Sequence, residues 1–592
     1  MVNTSSEPPM AEMSDTGDDR IVAVEEGAEA FVELLNANNV DYIFLNPGTD
    51  TFPIQEALSK FKSLGKRTPK VVLSLHESMA MAAAHGYFLL TKRPQVVLVH
   101  VDLGTQQVGG ALHNAQRGKA GVVLCAGRAP WSTDSETRGT RSLWIHWIQE
   151  QFDQASIVRG YVKWDYELRS NKNIHQVMQR AFQVAAADPP GPVYLSLPRE
   201  LLMEKISSVH VPAPNRHGTP VTPAPDPSAI LEAAKILAKA DKPLIIAGNP
   251  GRHLEAVAHL VKLAEILGAP VVTSGMTMNF PTDHHLYNGL NLSPYFEEAD
   301  AVLVIDYDIP YVPTKYKPKP NTKFIHIQMD PLRVGIPLWY FPADVLIEAD
   351  SCKAIPELNK AVSSLLTAAQ QAKAKSRAAQ IKENQQRLRA KWQQLALDKK
   401  SQSPISLDWL SYCIGKAVSP EDIVIDEAVT SSPFVERHLT RTRPESLFRS
   451  GGSSLGFGLG GALGAKLAAP ERNVITLVGD GSFVFGCPIA ALWAAKAHQA
   501  PFLCIIFNNG LYKAAKQSLQ EAYGKNSCSE RTCTWVGMDI APSPDYATIA
   551  RACGCYGEKV QHPEDIQGAL KRALEEVRAG NPAVLDVAVE AQ

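Results

Sequence analysis

The sequence predicts an α/β protein of three domains, each a parallel sheet flanked by helices, and three observations carry that prediction. Short, β-branched apolar runs alternate with helical stretches along most of the chain, as sheets covered on both faces require. Two segments of different composition, one rich in proline and one rich in Ala, Gln, Lys and Arg, break the alternation into blocks. The length, 592 residues, also exceeds what a single hydrophobic core organises.

Residues 1–20 are polar and acidic and contain two prolines, so a disordered tail is expected. The first domain, 21–200, places strands at 42–45, 71–75, 96–101, 122–125 and 193–197. A linker at 201–227 follows, marked by Pro212, Pro214, Pro220, Pro223, Pro225 and Pro227. The middle domain, 228–364, repeats the pattern with runs at 243–247, 270–273, 301–305 and 323–327, and lacks a glycine fingerprint for a dinucleotide. Residues 365–405 read as a solvated helical linker, and the last domain occupies 406–592.

Composition narrows the function classes. A net charge of −2 gives no electrostatic reason to expect nucleic acid or an anionic membrane as partner. No apolar run is long enough for a membrane span or a signal peptide, and the acidic start is unlike a transit peptide. The nine cysteines are scattered without a C-x-x-C pair, and Cys528, Cys533, Cys553 and Cys555 have only His562 nearby. Reduced, mostly buried thiols and a cytoplasmic location are the expectation.

The most informative stretch is 474–509. An apolar strand, 474–478, breaks at Gly479-Asp480-Gly481-Ser482, a helical stretch follows, and a second strand, 502–507, stops at Asn508-Asn509-Gly510. In a right-handed βαβ crossover both strand ends open on one edge of the sheet, so Asp480 and Asn509, 29 positions apart (509 minus 480), can meet there. A carboxylate, an amide oxygen and glycines that admit a ligand suit a hard divalent cation, Mg²⁺, holding a phosphorylated molecule. The bland alternative is an ordinary glycine turn.

This pattern resembles the diphosphate-binding signature of thiamine diphosphate (ThDP) enzymes, and the three-domain order is similar to the 2-oxo-acid decarboxylase and carboligase family that includes acetolactate synthase and benzoylformate decarboxylase. The resemblance implies a pyrimidine-binding first domain, a Rossmann-like middle domain and a diphosphate-binding last domain. It demands a glutamate after the second strand, and Glu77 stands there. Such a carboxyl group hydrogen-bonds the aminopyrimidine so that its imino form can take the C2 proton of the cofactor. As a purely structural feature, Glu77 would favour a helix N-terminus by less than about 1 kcal/mol.

The same resemblance assigns the remaining candidates. Asn46-Pro47-Gly48-Thr49 is similar to the Asn-Pro-Gly-Ser turn of benzoylformate decarboxylase, which implies substrate contact by Thr49, against a reading as simple turn chemistry. His100, at the end of the third strand, falls where that enzyme has a proton-relaying histidine, with Gln106 and Gln107 opening the next helix; a core histidine and a solvated helix start are the plain alternatives. Thr430, Ser431 and Ser453 are implied as diphosphate contacts, and Leu455 as the wedge under the thiazolium ring. Gly479, Asp480, Gly481, Ser482, Asn509 and the backbone carbonyl of Leu511 complete the implied cofactor and metal cradle, with Asp480, Asn509 and Leu511 on the metal.

Two departures from the family matter. The second active-site histidine of benzoylformate decarboxylase is replaced by Asp306-Tyr307-Asp308-Ile309-Pro310-Tyr311, which puts a two-histidine mechanism in doubt, and Tyr307, Asp308 and Tyr311 read as a polar loop or pocket lining. The segment after Leu511 lacks the tryptophan-containing stretch of acetolactate synthases. The resemblance implies a 2-oxo acid as substrate, with either an aldehyde or keto acceptor for carboligation or simple release of an aldehyde. FAD is not expected. A homodimer or homotetramer with sites at the subunit interface is implied, and a non-catalytic regulatory homologue is the reading from another class.

Overall fold

The computed structural model describes residues 19–213, 216–273, 276–524 and 526–591. The expected tail thus lies almost wholly outside the described residues, as does Pro214 of the proline-rich run.

Three parallel sheets organise the chain. The first has six strands in the spatial order Lys70–Leu73, Tyr42–Leu45, Gln95–Val99, Val122–Arg128, Val193–Pro198 and Asp165–Glu167. The middle sheet has five, Val271–Thr273, Pro243–Ala247, Ala301–Ile305, Lys323–Gln328 and Val345–Glu348. The last again has six, Leu447–Phe448, Ile423–Glu427, Val474–Gly479, Leu503–Asn508, Ala583–Ala588 and Tyr556–Val560. Counted in chain order, the first and last sheets both read 2-1-3-4-6-5, so two stretches of unlike sequence share one topology. The central strands of each are buried along all or nearly all of their length, which explains their near-continuous apolar character.

Within 201–227, Ser208–Val211 pairs antiparallel with Arg20–Ala23, so the chain folds back on the first domain before entering the middle one. The helix Ala368–Asp398 opens with a capping box, Thr367 with Gln370, and buries only Ala374, Ile381, Gln385 and Ala396. Arg377 on this helix donates to the Gly268 carbonyl (3.0 Å), and Arg389 donates to that of Thr282 (2.7 Å), tying it to the middle domain. Among the described residues no helix is long and apolar enough to cross a membrane.

First and last domains share one core. The helix Glu77–Thr91 packs on Phe457–Ala468, and Ala82, Ala83, Leu459, Ala462 and Leu463 belong to a single buried cluster. The approach is close enough that a Cβ at Gly86 would lie 2.2 Å from the Gly461 carbonyl oxygen, and one at Gly464 would lie 1.9 Å from that of Ala83. Small residues at these positions are a packing requirement.

Candidate active site

Strand register alone gathers the first-domain candidates. Leu45 pairs with Leu73 on one side and with Leu98 on the other, so the segments leaving these three strands emerge side by side at one sheet edge. Thr49, Glu77 and His100 lie on those three segments. Glu77 opens its helix and is only 9% exposed, with Oε1 facing Gly104, where an added Cβ would stand 3.3 Å away. Thr49 is exposed, and its carbonyl accepts from Arg199 (3.1 Å). Gln106 and Gln107 are exposed as well, and the Gln107 carbonyl accepts from the Ser78 hydroxyl.

His100 is held on both ring nitrogens. Its Nδ1 bonds to Asp50 Oδ1, and its Nε2 lies 2.9 Å from the Gln149 side-chain amide. Burial pushes the imidazole pKa down, but the hydrogen bond and charge of Asp50, with Asp102 and Glu77 behind, raise it above its ordinary value. Asp50 and Gln149 escape a reading by motif; the only signal was an acidic residue directly after the Asn-Pro-Gly-Thr turn.

The last-domain candidates assemble in the same way. Glu427 pairs with Val478 and Gly479 with Phe507, which sets Asp480 beside the Asn508-Asn509 strand end. Asp480 is 3% exposed; Oδ1 accepts from the Gly481 N–H at 3.0 Å, while Oδ2 is buried without a hydrogen-bond partner. Burial pushes its carboxyl pKa up to about 6, against the backbone N–H groups of Gly481 and Gly510. The Asn509 side-chain oxygen accepts from the Leu511 N–H (3.0 Å), and the Leu511 carbonyl accepts from Lys513 (2.9 Å). Gly481 faces the Tyr512 ring, Ser482 is buried beside it, and Gly479 has open space where a side chain would be. An orphaned carboxylate oxygen among oxygen donors fits a hard cation such as Mg²⁺.

One strand over, Thr430 and Ser431 form a single turn, Val429–Ser431, with Ser431 buried and Thr430 half-buried. Asp426 takes the Ser432 hydroxyl (2.8 Å) and the guanidinium of Arg449 (2.8 and 3.0 Å). Glu427 accepts the backbone N–H groups of Gly456, Phe457 and Gly458 at 2.8, 3.0 and 2.7 Å, and so clamps the turn that carries Leu455. Burial raises its carboxyl pKa to about 7 in spite of those donors. The clamping role is legible only once the two strand ends are adjacent.

Leu455 and Ser453 line a cavity of about 820 Å³ where all three domains meet. Its other walls include Tyr307, Asp308 and Ile309 from the middle domain and His113 and Arg117 from the first. Tyr311 lies elsewhere, buried against Phe296 and Phe341. His113 and Arg117 were not foreseen; His113 Nε2 sits 3.1 Å from the Ser453 hydroxyl and pins the glycine-rich loop. Glu77, His100 and Thr49 are not among the lining residues of this cavity.

Comparison with known proteins follows the same division. Models of the thiamine pyrophosphate enzyme N-terminal binding domain, central domain and C-terminal binding domain match residues 25–157, 230–385 and 428–587. A benzoylformate decarboxylase from Pseudomonas aeruginosa is 26% identical over 574 residues, covering 94% of this chain and 98% of that one. The acetolactate synthase isozyme 3 large subunit of Escherichia coli K12 is 26% identical over 578 residues, covering 95% of each. Among solved structures, the thiamine diphosphate-dependent 4-hydroxybenzoylformate decarboxylase of Rhodococcus jostii RHA1 superposes with a TM-score of 0.76 at 24% identity, over 96% of this chain and 99% of that one.

Proposed function

This chain belongs to the thiamine pyrophosphate enzymes, and from that premise we propose that it is a Mg²⁺-dependent enzyme that decarboxylates a 2-oxo acid and transfers the acyl unit to an aldehyde or keto acceptor. The observation that carries the proposal is the pair of sheet edges: Glu77 and His100 on one, the unpartnered Asp480 oxygen beside Asn509 on the other. Asp480, Asn509 and the Leu511 carbonyl would hold Mg²⁺, and Thr430, Ser431 and Ser482 would receive the diphosphate. When bound, the cofactor supplies a nucleophilic carbon and an electron sink for the departing carboxylate. Glu77 would hold a proton at the aminopyrimidine, and Leu455, on the wall of the cavity shared by three domains, would set the ring orientation.

Simple release of an aldehyde is a second reading, supported by His100. An imidazole held beside Glu77 by a buried carboxylate is suited to protonate a carbanionic carbon, which ends the reaction without an acceptor. Incubating the protein with ThDP, Mg²⁺ and a panel of 2-oxo acids, with and without aldehyde acceptors, separates the two. Products identified by mass spectrometry alongside CO₂ release are expected to include a carboligation product; aldehyde alone would select the second reading, and no CO₂ from any acid would reject both.

The two sheet edges also support a shared site. Leu75 and Leu103 beside the Glu77 edge are exposed, as are Val484, Phe485 and Ile489 after Asp480, and Trp144, Trp147, Ile148 and Phe152 around Gln149. Apolar surface of this extent is what a permanent subunit contact covers. A homodimer, or a dimer of dimers, would bring the Glu77 edge of one protomer to the Leu455 cavity and Asp480 edge of its partner.

A further inference from the structure

The side chain that fixes His100 has no role in the mechanism so far. Asp50 is 4% exposed, and both its oxygens are committed to the histidine's segment: Oδ1 to the His100 Nδ1, Oδ2 to the Val101 N–H at 3.2 Å. A carboxylate in that position requires a proton on Nδ1, because two acceptors cannot share a hydrogen bond without one. The other nitrogen, Nε2, is then the one that changes state. It is met by the Gln149 amide, whose Oε1 is buried without a partner. That amide can present its NH₂ to a neutral Nε2 or, turned over, its oxygen to an Nε2–H.

We propose that Asp50 is a positioning residue that locks His100 in the tautomer with hydrogen on Nδ1 and reserves Nε2 for proton exchange with the reacting carbon. This rests on the ThDP reading above. In the step itself, the electron pair left on carbon by departing CO₂ forms the new C–H bond. The Nε2–H bond breaks, and the imidazolium becomes neutral imidazole as the carbon loses its negative charge. The nitrogen regains its proton from water.

Other groups around the ring do not duplicate the device. Asp102 and Glu77 act on His100 only through charge, and the Asp102 side chain instead takes the Gln151 amide at 3.3 Å. Burial and the nearby Arg199 and Arg141 push His146 toward its neutral form, and the Arg199 guanidinium is occupied by the carbonyls of Thr49, Gly139 and Thr140. Gly48 and Gly127 make room for the pair: an added Cβ would lie 2.0 Å from His100 Nδ1 at the first and 1.7 Å from Asp50 Oδ2 at the second.

The test compares wild-type protein with Asp50→Asn in the cofactor-loaded assembly. Deuterium exchange at the imidazole C2–H, read peptide by peptide by mass spectrometry across pH, reports the protonation of His100 whether or not any substrate turns over. Loss of the carboxylate is expected to lower the His100 midpoint by about one pH unit or more while that of His113 stays fixed. The alkaline limb of kcat for aldehyde formation is expected to move down with it, with KM within about twofold and kcat at neutral pH reduced at least about tenfold. Asp50→Glu restores both. Should Asp50→Asn fail to fold, Asp50→Ser, which keeps an acceptor for Val101 without the charge, is expected to give the same shift. An unchanged His100 midpoint in a folded variant, or a kcat loss uniform across pH, overturns the inference. A shifted midpoint in a protein that decarboxylates nothing would reject the enzymatic reading while keeping the Asp50–His100 pair.

Discussion

Glu77 and Asp480 are both buried carboxylates, yet their surroundings prepare them for different tasks. Glu77 opens a helix against Gly104 and adds its charge to the surroundings of His100, whereas Asp480 keeps one oxygen unpartnered. Changing Glu77 to Gln is therefore expected to leave cofactor binding intact and to lower turnover of any accepted 2-oxo acid by a factor on the order of 10² to 10⁴. Retained turnover in that variant would count against the catalytic assignment. Asp480→Asn removes the anionic ligand but keeps the shape. Calorimetric titration of ThDP is expected to lose its dependence on Mg²⁺, with affinity weakened at least about tenfold.

At the scale of elements, the contact between Glu77–Thr91 and Phe457–Ala468 decides how firmly the first and last domains hold together. Gly464→Ala would drive a methyl group into the Ala83 carbonyl, and repacking two helix backbones is expected to cost about 1–3 kcal/mol, read as a lower urea midpoint. His85 sits in the same contact, fully buried, with its ring 4.7 Å from that of Phe457 and both nitrogens unpartnered. Burial depresses its pKa to about 3, far below the value of about 6.5 in an unfolded chain. Between those two values the unfolded state binds the proton and the folded state does not, so stability falls as pH drops below 6.5. From pH 6.5 to 4 this amounts to about 3 kcal/mol. His85→Leu is expected to flatten that acid limb in unfolding titrations, and an unaltered limb would place the acid sensitivity elsewhere.

Arg252 governs the middle domain comparably. It is ringed by Asp306, Asp350 (3.6 Å) and Asp188 (3.7 Å), a cation compensating three carboxylates at the junction of first and middle domains. Truncation to Ala strands buried acids, and a loss of about 3–5 kcal/mol in unfolding free energy is expected.

For the whole molecule, the repeated 2-1-3-4-6-5 sheets and the separation of the Glu77 edge from the Leu455 cavity make a prediction about assembly. Activity per chain is expected to fall on dilution in step with dissociation followed by sedimentation. Mixing Glu77→Gln with Asp480→Asn protein is expected to restore part of the activity, because a mixed dimer holds one site free of both changes. Full activity in a demonstrated monomer would exclude the shared site.

The sequence by itself determined the three-sheet architecture, because strands buried on both faces must be apolar runs, and runs of that kind cannot be hidden by the rest of the chain. It also singled out Asp480 and Asn509 as candidates, since glycine turns and amide pairs at strand ends are written in consecutive residues, and Glu77 through the family resemblance that those residues carry. Only the tertiary structure decided which distant groups face each other. Asp50 reaches His100, Glu427 clamps the turn just after Leu455, and His113 and Arg117 enter a cavity otherwise built by other domains. Such partners are set by strand register and domain packing, which depend on the summed burial of hundreds of side chains, so no local spacing records them.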